Sequence, residues 1–142
     1  MTNLWKINGI DIFAIYGAAI LKGSYAELLA PPTPKKRLEH DYADQNGVVI
    51  DTISALTYEA KRFSIKLALK GSSATEFWNR YNALFAVLAV PGAFTLWIAD
   101  LNKTYTLIYE GCSKVDKLTR IAGAPYVFAI FELKLLQPNP LL

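Results

Sequence analysis

His40 beside Asp41 is the one pairing in this chain that could support a general base, because only imidazole titrates near neutral pH without perturbation. No Gly-x-Ser-x-Gly nucleophile motif accompanies it. A surface or hydrogen-bonded histidine is therefore the expectation, and no catalytic residue is assigned. Asp41, Asp44 and Asp51 are spaced differently from the acids of a twelve-residue calcium loop. Gly9, Gly17 and Gly23 make no dinucleotide fingerprint, and no Gly-Lys-Ser/Thr phosphate loop is present. Cys112 is the only cysteine, which excludes an internal disulfide and a thiolate metal cluster from one chain. No cofactor and no metal are expected.

Two groups of cations could instead meet a polyanion. Lys35, Lys36 and Arg37 follow Pro34, and Lys66 and Lys70 share a strand face with Arg62. Lys35, Lys36, Lys66 and Lys70 are candidates for lining a channel or touching phosphate, although three charges on a Pro-rich segment equally make a solvated edge that discourages strand pairing. Trp5 and Trp97 could form stacking platforms in a small ligand- or nucleic-acid-binding module. Core or interface packing is the stronger reading for both, as for Trp78.

The elements that must position these groups can be read along the chain. Asn8-Gly9 between Leu4–Ile7 and Ile10–Phe13 predicts a β-hairpin with a type I′ turn. A short strand follows at Ala18–Lys22, and Ala26–Ala30 stays unassigned. Pro31, Pro32 and Pro34 remove three backbone donors, so residues 31–37 should be an extended arm. A second hairpin is expected over Leu38–Asp41 and Val48–Asp51 around a polar turn.

Phe63, Ile65, Leu67 and Leu69 alternate with polar residues, the clearest strand pattern in the chain. Ser73 and Glu76 then form a capping box for a helix over about 73–89, with Phe77, Trp78, Tyr81, Leu84, Phe85 and Leu88 on one stripe. Pro91-Gly92 stops it. A hairpin over Phe94–Ala99 and Tyr105–Glu110 follows, with Cys112 in a turn beyond it. The last strand, Tyr126–Leu136, is apolar on both faces at first, with Tyr126, Phe128 and Ile130 opposite Val127, Ala129 and Phe131. It should be central in a sandwich or lie at an interface. Residues 137–142 should form a loose tail.

These elements give one mainly β domain over 1–142, a β-sandwich or curled antiparallel sheet with one flanking helix. At 142 residues the chain has room for one sizeable core. Its hydrophobic share of 53% and charged share of 19% are respectively above and below the globular norm, so part of the apolar surface should be buried against a partner. A net charge of +3 is too mild for a dedicated nucleic-acid binder. No apolar run reaches the ~20 residues needed to span a bilayer. A membrane span and an export signal are not expected, and the lone cysteine fits a reducing compartment.

In this order the motifs resemble the N-terminal ring-forming domain of the distal tail proteins of long-tailed bacteriophages, and more loosely the tail-tube fold family. The residues that carry the resemblance are Ile7–Ile12, Tyr16-Gly17, Pro31–Arg37, Gln45-Asn46-Gly47, the strand Phe63–Gly71, the helix Ser73–Ala89, Pro91-Gly92 and the hairpin after it. The resemblance implies a non-enzymatic subunit assembled head to tail around a central channel, often as a hexamer, in contact with other tail proteins and with DNA only in passage. It implies the virion tail as location, after synthesis in the bacterial cytoplasm. Pro31, Pro32, Pro34, Arg37, Tyr126, Phe128 and Ile130 are the candidate subunit-interface residues. A tube component of a contractile secretion or injection system is the alternative with the same architecture. Distal tail proteins typically carry a further C-terminal domain, whereas this sequence ends at Leu142, so a plain ring or tube subunit is expected.

Overall fold

The computed structural model describes residues 4–44, 46–123 and 125–140. Strands β1 (Trp5–Ile7) and β2 (Ile10–Asp11) form the expected hairpin, with Asn8 and Gly9 both at positive φ, 52° and 81°. Asn8 also ties the turn to a neighbouring strand, its Oδ1 accepting from the Thr95 amide at 3.0 Å.

The second strand stops sooner than the apolar run Ile10–Phe13 suggests. The Asp11 carboxylate accepts from the amides of Phe13 (3.0 Å) and Ala14 (3.3 Å), which starts a short helix, α1 (Ile12–Tyr16). Capping chemistry thus overrides β-propensity here. After β3 (Ala18–Ile20) and a 3₁₀ turn at Lys22–Ser24, the unassigned Leu-rich patch is a second short helix, α2 (Tyr25–Leu29), that buries Leu28.

Residues 31–60 form an arm. Its outward leg is extended, as the prolines require, and it pairs with a return leg: the Lys35 amide donates to Thr57 O and the Glu59 amide to Thr33 O, both at 2.8 Å. Farther out, β4 (Glu39–His40) pairs with β5 (Val49–Ile50). Gln45, in the turn, lies outside the described residues.

The body continues with β6 (Lys61–Gly71), α3 (Ala74–Leu88), β7 (Phe94–Ile98), β8 (Lys103–Leu118) and β9 (Val127–Gln137). Ser73 Oγ accepts from the Glu76 amide at 3.2 Å, as a capping box requires, but the Glu76 carboxylate returns to Ser72 and not to Ser73. Ser73→Ala should therefore lower the unfolding free energy by about 1 kcal/mol, read from urea titration.

Seven strands form one antiparallel sheet in the order β2-β1-β7-β8-β9-β6-β3. Strand β8 is the bend in it. Residues 103–107 pair with β7, and residues 108–118 pair with β9 through three register shifts. The expected end at Glu110 is thus corrected: Gly111, at φ 133°, and Cys112 lie within β8 at the first of those shifts, not in a turn after the strand.

The chain itself shows that the sheet curls. Six strand spacings of a flat sheet would separate β2 from β3 by roughly 29 Å. Only α1, about 7.5 Å long, and Gly17 connect them. The two edges must therefore approach each other, and α1 sits at their junction, packed on β1, β3 and α3.

Inside the curl lie Trp5, Ile7, Leu67, Leu69, Leu96, Leu107, Leu133 and Leu135, and α3 closes it with Phe77, Leu84 and Leu88. Strand β9 is central, as its composition implies, and Val127, Ala129, Phe131, Leu133 and Leu135 point inward. Its other face is not fully covered: Phe128 and Ile130 are half-buried and Tyr126 is exposed. The expected loose tail is also corrected in part. Gln137 ends β9 and Pro140 is buried, while residues 141 and 142 lie outside the described residues.

Candidate functional site

His40 stands at the far part of the arm, exposed, with its ring 4.0 Å from that of Tyr42. The arm holds it away from the core. Among the described residues no group of three His, Cys, Asp or Glu is placed to hold a metal. A hollow of about 490 Å³ lies between α1, the β6–α3 corner and Tyr126; of its charged lining groups Glu76 and Arg80 pair at 2.6 Å, and Lys70 is the third.

The sequence-derived site residues fall into two separate places. Pro31, Pro32, Pro34, Lys35, Lys36 and Arg37 are on the outward leg of the arm, where Lys36 pairs with Glu39 (3.2 Å) and Arg37 donates to the Asp51 carbonyl (2.9 Å). Tyr126, Phe128, Ile130, Lys66 and Lys70 belong to the outer side of the β6–β9–β8 part of the sheet.

The arm is joined to the body at its base. The Lys61 ammonium donates to the Leu28 and Ala30 carbonyls (3.3 and 2.6 Å), closing the C-terminus of α2. Burial holds this lysine below its ordinary pKa, partly offset by Glu27. Beyond the base, apolar side chains are open to solvent: Leu38 is 80% exposed, Ile53 95% and Val49 52%. The arm's hydrogen bonds run between its own two legs.

On the outer sheet face, charges cross the strands. Arg62 pairs with Glu110 (3.5 Å), Lys66 with Asp116 (3.1 Å), and Lys114 with both Asp116 (3.3 Å) and Glu132 (3.7 Å). Lys66 is therefore a paired cation, not a free one. The hydrogen bond from Lys66, with Lys114 beside it, holds the Asp116 carboxyl below its ordinary value of 3.8. The same carboxylate, with Glu132, raises Lys114.

A depressed folded pKa stabilises the fold fully above 3.8, and that contribution disappears as pH falls through the folded value. Asp116→Asn should lower Tm at neutral pH and flatten its decline below about pH 4. Acid limbs that superimpose for the two proteins would contradict this. Asp116, Lys114 and Glu132 were not sequence-derived site residues; the signal was alternation beyond Gly111, which reads as a strand end.

The aromatic platforms divide. Trp5 is buried, and its Nε1 donates to Tyr25 Oη at 2.8 Å, so it offers no face to a ligand. Trp97 is half-buried, with Lys6 Nζ 5.3 Å from its ring centre. Trp78 is 44% exposed at the edge of the helix stripe.

No family model and no curated protein sequence matches the chain. Among solved structures, the crystal structure of SPP1 Dit superposes with a TM-score of 0.54 at 13% identity, covering 96% of this chain. The fold is similar to that of SPP1 Dit. That protein is described as a paradigm of the hub adsorption apparatus in phages infecting Gram-positive bacteria. This chain spans about half of it, matching 52% of its length. The likeness is one of fold, shared over about half the length of that protein.

Proposed function

We propose that this protein is a non-enzymatic structural subunit of a phage or prophage tail, that copies of it close into a ring around a central channel, and that the ring stacks on other tail proteins. The similarity in fold to a phage hub protein supports the setting. The observation that carries the assembly is the arm, a strand pair bonded to itself whose apolar side chains the body leaves uncovered. Exposed apolar surface of this kind marks a contact site.

A second feature supports the same reading. Among the described residues no strand pairs with the outer edge of residues 108–118 of β8. Open edges are a liability in a monomer and a joint in an assembly. A ring of head-to-tail copies covers both the edge and the arm on every subunit.

The outer face of β6, β9 and β8 short of the β8–β9 turn is the surface we assign to the channel, while the turn end with Tyr126 belongs to the subunit contact. Its ion pairs balance most of the charge, and exposed Lys70 and Lys134 add to it. Such a face lets a polyanion pass with little retention, because binding strength rises with each net phosphate contact. Light scattering after gel filtration should give a multiple of the 15.8 kDa chain mass that grows with concentration to a fixed value. A single-chain mass at every concentration would count against the reading.

A further inference from the structure

A ring joined head to tail needs two unlike surfaces on each copy, and charge distinguishes two ends of this molecule. Beyond its cations Lys35, Lys36 and Arg37 the arm is acidic: residues 38–60 hold Glu39, Asp41, Asp44, Asp51 and Glu59 and no lysine or arginine, and among the described residues only Glu39 forms an ion pair with one of those cations, Lys36. The β8–β9 turn region, residues 111–126, holds Lys114, Lys117 and Arg120 against Asp116 in sequence; Lys114 is engaged by Asp116 and Glu132, which leaves Lys117 and Arg120 as its excess positive charge. Each charged end also presents apolar side chains. The arm exposes Leu38, Val49 and Ile53, and the turn region exposes Val115, Leu118 and Tyr126 at 49%, 56% and 55%.

These two ends lie far apart in one chain. Lys61, at the base of the arm, is opposite Gln137, whereas Gly71 is opposite Val127 beside the β8–β9 turn. The eleven residues of β6 between them span roughly 33 Å. The base of the turn is tied, since the Thr119 amide donates to the Phe128 carbonyl and the Thr119 hydroxyl oxygen accepts from the Phe128 amide, each at 3.0 Å. The arm is likewise preformed by its own pairing, so docking costs little ordering entropy.

We propose that the acidic arm of one copy docks on the basic β8–β9 turn of the next copy, with apolar contact between Leu38, Val49 or Ile53 and Val115, Leu118 or Tyr126. This rests on the ring-forming reading above and names its joint. A contact between the far, acidic parts of two arms would oppose like charges and is disfavoured, so the joint is heterologous and one copy leaves an arm at one end and a turn at the other.

The test is charge exchange in the full chain, followed by sedimentation velocity and electron microscopy. Asp41→Lys with Asp44→Lys, and separately Lys117→Glu with Arg120→Glu, should each weaken self-association by about tenfold or more. All four changes in one chain should restore it to within about threefold of the parent. Raising the salt should weaken association of the parent, because the attraction is screened. Rings that persist in both two-site variants, or parent association indifferent to salt, overturn this joint and leave the ring reading intact. A parent chain that never associates overturns both. Unchanged urea midpoints separate a lost contact from a lost fold.

Discussion

Phe77→Ala is expected to lower the unfolding free energy by about 3–5 kcal/mol, the largest effect of any single substitution considered. Phe77 is 1% exposed, on the first turns of α3, and its ring meets those of Trp78 and Tyr81 at 5.4 and 6.2 Å. Removing it loses the transfer free energy of a phenyl ring and leaves a void that the rigid corner between β6 and α3 cannot collapse. A domain of this size is stable by only ~5–15 kcal/mol, so the variant should unfold at a much lower urea concentration. Trp78 supplies the control. It is adjacent but 44% exposed, and Trp78→Ala should cost less than about half as much. Equal losses would mean that α3 is not seated as described.

Gly17→Ala should cost about 2–4 kcal/mol, more than its lost backbone freedom alone would imply. Gly17 ends α1 in the left-handed region at φ 61°, which costs a residue with a Cβ roughly 1–2 kcal/mol. Space is the second constraint. A Cβ there would lie 2.3 Å from Arg80 Nη1 and 2.6 Å from the Lys70 carbonyl oxygen. The guanidinium could swing away only by giving up its 2.7 Å bond to that same carbonyl, and the carbonyl is fixed in β6. Gly17 O also accepts from the Lys70 amide at 3.1 Å, so the residue fastens α1 to β6, next to the edge strand β3. Gly9 isolates the strain, because at φ 81° it has open space for 4 Å around the place a Cβ would take. Gly9→Ala should therefore show only the backbone cost, and urea titrations of the two variants separate crowding from conformation.

Local signals mark the parts of the fold that depend on neighbours in sequence. Asn8-Gly9, the alternation Phe63–Leu69 and the Ser73 cap each act within a few residues, and each element stands where its pattern puts it. Helix α1 is hidden because five apolar residues read equally as strand, and only the Asp11 carboxylate decides between them. Strand β8 reads short because Gly111 looks like a breaker, whereas pairing with β9 across register shifts carries the strand on to Leu118. The prolines mark the outward leg of the arm, yet nothing local marks its return leg, which is held by Lys35 and Glu59 bonding Thr57 and Thr33.

The candidate site is legible in the same uneven way. Lys66 can be placed on a cationic strand face from alternation, but its partner Asp116 is on another strand and is brought near only by the sheet order. Trp5 can be placed in a short strand from its neighbours, but its burial and the bond from its Nε1 to Tyr25, twenty residues away, are set only by the fold. Exposure of the arm is likewise a tertiary fact. Its apolar residues are the kind that fill a core, and only the closed curl of the sheet leaves them outside.

Particle imaging of the purified full chain at high concentration tests the central claim most directly. The account predicts annular particles of uniform copy number with an open centre and arms bridging adjacent subunits. Compact single-chain particles at every concentration, with the arm folded onto its own body, would contradict it.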